Sequence, residues 1–170
     1  MRVVITGASR GIGRATALKL AADGAEALTL CDVTYLDELE SLAANLRTAG
    51  CKVRTLKADM ARPREPAKLV AAAVKAMGGI DAIVGNAGIT APGRLVDLDI
   101  ATWDRIFDVN LRANWLLAKA AYPHRKRSKG AVVMLASMAG IMPQIPTGAY
   151  SPAKAAPRHA DGNAGDGMGA

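Results

Sequence analysis

"RVVITGASRGIGRATALKLAADG", residues 2–24, decides the fold. "RVVIT" is short and aliphatic, as a buried strand is. "GIGRATALKLAADG" has helical spacing and closes on Gly24, a helix stop. Three glycines, Gly7, Gly11 and Gly13, lie at the turn between them. A strand that runs through a glycine turn into a helix is the opening of a βαβ unit.

The same alternation continues outward from this unit. "ALTLCD" (27–32), "KVRTLK" (52–57), "IDAIVG" (80–85) and "GAVVMLAS" (130–137) read as further strands. "YLDELESLAANLRTAG" (35–50), "EPAKLVAAAVKAMGG" (65–79) and "ATWDRIFDVNLRANWLLAKAAY" (101–122) read as helices. Repeated strand and helix with right-handed crossovers predict an α/β fold: a Rossmann-type, doubly wound parallel sheet of about five strands. Residues 1–156 are expected to form this one domain, with no internal repeat and no linker.

Composition narrows the function classes. At 51% hydrophobic and 4% aromatic, the core must be built from Ala, Val, Ile and Leu. The net charge of +7 permits attraction to phosphates. The basic residues are nevertheless scattered, without interleaved aromatics, and no nucleic-acid partner is expected. The one dense run, "HRKRSKG" (124–130), reads as a solvated loop between a helix and the next strand. Cys31 and Cys51 lack the spacing of a metal site or a disulfide framework, so reduced thiols are expected. His124 and His159 are isolated, and no metal is expected. The chain enters a strand at once, leaving no room for a signal peptide, and no apolar run is long enough for a membrane. The expectation is a cytoplasmic protein with no membrane partner.

Glycines at the first turn let backbone approach a pyrophosphate, while N–H groups at the helix start face the anion. A plain tight loop is the bland alternative, but the strand before it and the helix and second strand after it favour a dinucleotide site. Ser9, Arg10 and Ile12 complete the candidate loop with Gly7, Gly11 and Gly13. Asp32 ends the second strand, placed to accept hydrogen bonds from ribose hydroxyls and to repel a 2′-phosphate. That favours NAD. Arg10 can pair with such a phosphate, which keeps NADP as the alternative.

"TGASRGIG" (6–13), "GNAG" (85–88), Ser137 and "YSPAK" (150–154) together resemble the short-chain dehydrogenase/reductase family, in its smaller branch, from residue 2 to about residue 156. The resemblance implies that Gly7, Gly11 and Gly13 are the family's glycine motif. It implies that Asp59, followed by Met60, meets the adenine amino group. Asn86, Ala87 and Gly88 would support the sheet and lie along the cofactor; the family usually has a second Asn where this chain has Gly85. Tyr150, Lys154, Ser137 and Asn110 would be the catalytic set, with Asn114 competing for the place of Asn110.

The chemistry follows from the residue types. Tyr150 and Lys154 share one face of a helix at i,i+4 spacing. A free phenol titrates near ~10, and a fixed ammonium nearby favours its phenolate form. Tyr150 would be acid for carbonyl reduction and base for alcohol oxidation. Ser137 would hydrogen-bond the substrate oxygen, and Asn110 would hold a water linking Lys154 to solvent. The implied reaction is hydride transfer between nicotinamide and a small-molecule alcohol or ketone. The family also implies a homo-oligomer.

The end of the chain, "AAPRHADGNAGDGMGA" (155–170), carries Pro157 and four glycines without an apolar stripe. It is expected to be a disordered tail from about residue 157, from out-of-frame or truncated coding sequence, with a genuine short variant carrying a flexible end as the alternative. The fold would then be truncated on its C-terminal side, exposing a sheet edge and halving the helical interface of an oligomer. Two readings stay open: an oxidoreductase with impaired turnover, or a non-catalytic dinucleotide-binding remnant.

Overall fold

The computed structural model describes residues 1–142, 145 and 147–156. The expectation of a disordered tail from residue 157 lies outside the described residues. Five strands, β1 (Arg2–Thr6), β2 (Ala27–Asp32), β3 (Lys52–Lys57), β4 (Ala82–Gly85) and β5 (Ala131–Met134), form one sheet in the order β3-β2-β1-β4-β5. Every pairing is parallel. The chain leaves β3 at one edge and returns beside β1 as β4. This reversal makes a topological switch point, the place where open parallel sheets hold ligands beyond their strand ends.

The helices are α1 (Gly11–Ala22), α2 (Leu36–Thr48), α3 (Glu65–Met77), α4 (Ile100–Phe107), α5 (Ala113–Ser128) and α6 (Tyr150–Ala155). They cover both sides of the sheet. Val3, Ile5, Leu28 and Leu30 pack with Leu39, Leu42 and Leu46 of α2 on one side. Val4, Cys31 and Ile83 pack with Leu69, Val70 and Ala73 of α3 and Leu117 of α5 on the other. The central strands are buried on both faces, which is why "RVVIT" and "ALTLCD" carry no polar alternation.

Three expected boundaries change. β4 starts at Ala82 and not at Ile80, because the Asp81 carboxylate caps the entry to the sheet. It accepts from the Arg2 backbone N–H at 2.8 Å and from the Arg2 guanidinium at 2.7 Å. β5 ends at Met134, three residues short of Ser137. The basic run at 124–130 is not a loop: α5 continues through Pro123 to Ser128. Leu117, Ala118 and Ala121 anchor that helix in the core, and the packing of α5 on α3 outweighs the cost of an interior proline. Arg125, Lys126 and Arg127 sit in its last turn, where cations suit the negative end of the helix dipole.

The long helix from residue 101 is interrupted around Asn110, as the family resemblance implies. Asp99 caps its start by accepting the Thr102 N–H at 2.8 Å. Between α4 and α5 the backbone widens into a π turn, Asp108–Arg112. Such turns are rare and concentrate at functional sites. Among the described residues, no helix is long and apolar enough to cross a membrane.

Candidate active site

The loops after β1 and β4 meet at the switch point. Gly7 adopts φ 63°, and a side chain there would press on the Ala87 backbone at 3.0 Å. Asn86 locks the two loops together by donating through Nδ2 to the carbonyls of Thr6 (2.9 Å) and Gly7 (2.8 Å). The Thr6 hydroxyl accepts the N–H groups of Asn86 and Ala87 at 3.1 and 2.9 Å. A Cβ on Gly13 would collide with the Gly7 carbonyl oxygen. Helix α1 therefore sits directly under the turn, which only glycine permits.

The start of α1 is electrically prepared for an anion. Arg10 stands at the N-cap without a side-chain cap, and the first turn carries no acidic residue. Among the described residues, the buried Ser9 hydroxyl oxygen has no hydrogen-bond partner. Unpaired donors and the positive end of the helix are what a pyrophosphate requires. A cavity of about 440 Å³ opens there, lined by Gly7, Arg10, Gly11, Ile12, Asp32, Asp59, Met60 and Asn86 to Ile89. The residues present fit a dinucleotide.

Asp32 lies in this cavity with its carboxylate held by the backbone: Oδ2 accepts from Ser9 N–H at 3.3 Å and Oδ1 from Val33 N–H at 2.8 Å. The Arg10 guanidinium stacks on the Tyr35 ring, 4.0 Å from its centroid. Asp59 Oδ1 accepts the Ala61 N–H at 3.1 Å, and its carboxylate pairs with Arg105 at 3.4 Å. Tyr35, Arg105 and Val109 line the same cavity and were missed by sequence reasoning. Arg105 and Asp59 are brought together over 46 positions, a contact that no local pattern signals. Thr6 was missed too, although it opens the quoted "TGASRGIG".

A second cavity of about 430 Å³ is lined by Leu135, Ser137, Tyr150 and Lys154 together with Ile12, Asn86, Gly88 and Ile89. The last four residues line both cavities, so one cleft runs from Asp32 to Tyr150. Ser137 is extended, at φ −151°, and caps the short turn Met138–Gly140 by accepting the Ala139 N–H at 3.2 Å. Tyr150 begins α6 just after Gly148, whose φ is 52°. Lys154 is buried one turn later, donates to the Leu135 carbonyl at 2.8 Å, and has Nζ 5.9 Å from the Tyr150 ring centroid. Burial holds its amine below the ordinary value of 10.5.

Asn110 is fully buried in the π turn. Its Nδ2 donates to the carbonyls of Ile89 (2.8 Å) and Ile106 (2.9 Å), while Oδ1 has no partner among the described residues. Asn110 Oδ1 and Lys154 Nζ converge on Gly88, lying 2.8 and 3.4 Å from the point where its Cβ would be. A niche of this polarity suits a bridging water. Asn114, the competing candidate, points elsewhere, against Gly85.

Comparison with known proteins identifies the family. The profile of the family described as short chain dehydrogenase matches residues 1–161. Dehydrogenase/reductase SDR family member 4 of Bos taurus is 34% identical over 155 residues, covering 90% of this chain and 55% of that protein. Cis-4-hydroxycyclohexanecarboxylate dehydrogenase of Sinomonas cyclohexanicum is 36% identical over 154 residues, covering 89% of this chain and 61% of the relative. The chain therefore spans little more than half the length of these curated relatives. Among solved structures, NADH-dependent reductase A1-R′, responsible for alginate metabolism, superposes with a TM-score of 0.89 at 34% identity, covering 95% of this chain and 69% of the other. A short chain dehydrogenase from Burkholderia cenocepacia J2315 in complex with NADP gives a TM-score of 0.87 at 33% identity, covering 91% of this chain and 63% of the other. With its motifs in order along a sheet of this topology, the chain belongs to the short chain dehydrogenase family.

Proposed function

We propose that this chain carries the machinery of an NAD(P)-dependent oxidoreductase that interconverts a small-molecule alcohol and ketone. The observation that carries the reading is the single cleft lined by the glycine turn, Asp32, Ser137, Tyr150 and Lys154. Reductase A1-R′ has been solved with NAD and the Burkholderia relative with NADP, which supports a nicotinamide dinucleotide here. A relative named (-)-trans-carveol dehydrogenase, from Rhodococcus erythropolis, is 34% identical over 164 residues and supports an alcohol or ketone substrate.

The bound nicotinamide supplies the hydride chemistry. The protein residues do the rest. Gly7, Gly11 and Gly13 would shape the turn and the open helix start that face the pyrophosphate, the Ser9 hydroxyl would be a further donor, and Ile12, Met60 and Asn86 to Gly88 would flank the cofactor. Asp32 receives the ribose hydroxyls and favours NAD, because its carboxylate repels a 2′-phosphate; Arg10 is the residue available to NADP. Ser137 orients the substrate oxygen, and Tyr150 exchanges a proton with it. Lys154 fixes positive charge beneath Tyr150, and Asn110 shares with it the niche for a water. The free, buried Cys31 and Cys51 fit the cytoplasm.

The test is a fluorescence titration with NADH and NADPH, paired with turnover over a panel of alcohols and ketones. Saturable binding with turnover supports the proposal. Binding without turnover selects a non-catalytic dinucleotide-binding protein, and no binding defeats both.

A further inference from the structure

Asn114 is a polar side chain in an apolar place. It is 3% exposed and shares the buried face of α5 with Ala113, Leu117, Ala118 and Ala121. An amide buried there is costly unless bonded. Its Nδ2 donates to the Asn110 carbonyl at 2.9 Å, inside the π turn. A π turn shifts the register of backbone hydrogen bonds, and a side chain can then serve a carbonyl of the widened turn.

The other end of the amide lies against β4. A Cβ on Gly85 would sit 3.1 Å from Asn114 Cγ and nearer still to Oδ1. A side chain at position 85 and the amide of Asn114 cannot occupy this space together. Gly85 is also where the family resemblance carries an asparagine, so the chain lacks a side chain on the strand and supplies an amide from the helix instead.

We propose that Asn114 is a positioning residue, which fills the space over Gly85 and fastens the π turn so that Asn110 faces the niche beside Lys154. Two contacts carry this: the bond from Asn114 to the Asn110 carbonyl, and the convergence of Asn110 Oδ1 and Lys154 Nζ on Gly88. The inference rests on the reading of Tyr150 and Lys154 as the proton-transfer pair. Lys154 faces Tyr150 on its own helix, the uncharged Asn110 from the π turn and the Leu135 carbonyl from the exit of β5.

The experiment is a double-variant cycle on the full chain: Gly85→Asn, Asn114→Val, and both together. Each protein is followed by thermal melting and by NMR titration of the nitrogen-labelled Lys154 amine. Gly85→Asn alone is expected to melt lower, because the two amides collide. Asn114→Val is expected to lower the proton affinity of Lys154 by about threefold, since the amine loses a facing carbonyl oxygen. The double variant should melt above Gly85→Asn and restore the Lys154 midpoint. Should Asn114→Val not fold, Asn114→Ala takes its place in the cycle. An unmoved Lys154 midpoint in the Asn114 variant, or strictly additive melting losses, overturns the inference. Neither readout needs turnover, so an inactive chain defeats the reaction proposal while this result still stands or falls separately.

Discussion

The Lys154 ammonium donates a 2.8 Å hydrogen bond to the carbonyl of Leu135, nineteen residues earlier, and so fastens α6 to the exit of β5. Ser137 lies two residues beyond that carbonyl. One bond thus couples the helix that carries Tyr150 to the segment that carries the serine. Short helices are marginal alone, and α6 has six residues, so its position depends on such tertiary ties.

Replacing Lys154 with Met keeps the side-chain length and removes the donor. Turnover is expected to fall by about 10²–10⁴-fold, the usual worth of positioned proton-transfer groups. The alkaline stability profile changes as well. Because burial lowers the folded-state pKa of Lys154 below 10.5, the unfolded chain binds more protons between those two values. Wild-type stability therefore gains from this group as pH rises through that window, and Lys154→Met should lack the gain. Denaturant midpoints measured across the alkaline range check the sign.

Arg2 and Asp81 join the starts of β1 and β4 at the end of the sheet away from the cleft. The bond from Arg2 holds the Asp81 carboxyl below its ordinary value of 3.8. A depressed carboxylate contributes stability above its unfolded value and loses it as pH falls toward the folded one. Asp81→Asn should melt lower than wild type at neutral pH, and the difference should shrink in acid below about pH 4. Cofactor affinity should not change, which separates this pair from the site.

Gly13→Ala tests the glycine turn. The added methyl would meet the Gly7 carbonyl and approach Asn86 Nδ2 at 2.5 Å, so the turn must move. Overpacking of this kind costs about 1–3 kcal/mol and should weaken NADH binding in parallel. Gly24→Ala is the control: φ is 86° there and an added Cβ would meet no described residue beyond its chain neighbours within 4 Å, so about 1–2 kcal/mol of backbone strain is expected with unchanged NADH affinity. Melting and NADH titration of both variants decide the point.

Most of this architecture is written locally. Strands β1, β2 and β3 keep the bounds their sequence runs suggest, β1 and β2 buried and β3 at the half-exposed edge, and "TGASRGIG" and "GNAG" lie at strand ends. Errors arise where distant packing overrides local preference. Pro123 and the basic run after it look like a loop, but Leu117 and Ala121 packed with α3 hold the helix through them. The π turn at Asn110 leaves no mark in composition, because it is a change of hydrogen-bond register. Asp59 with Arg105, and Gly85 with Asn114, meet only once the sheet is assembled.

In the proposed function, cofactor preference turns on Asp32. Asp32→Ser removes the charge that repels a 2′-phosphate, while the Arg10 guanidinium remains on the same cavity wall. The ratio of NADPH to NADH affinity should rise by about 10–100-fold, corresponding to roughly 1–3 kcal/mol for a lost charged contact. Adding Arg10→Ala should reverse much of that rise. Competitive fluorescence titrations give both ratios.

The central claim is that Tyr150 delivers a proton beside a bound nicotinamide while hydride passes to a carbonyl carbon. Its most direct measurement is deuterium transfer from NADH labelled at the nicotinamide C4 position, in wild type and in Tyr150→Phe, over a panel of ketones. The account predicts deuterium on the carbinol carbon with wild type, and its near-complete loss in Tyr150→Phe although NADH still binds. Equal transfer by both proteins, or NADH binding by wild type with no transfer to any ketone, would contradict it.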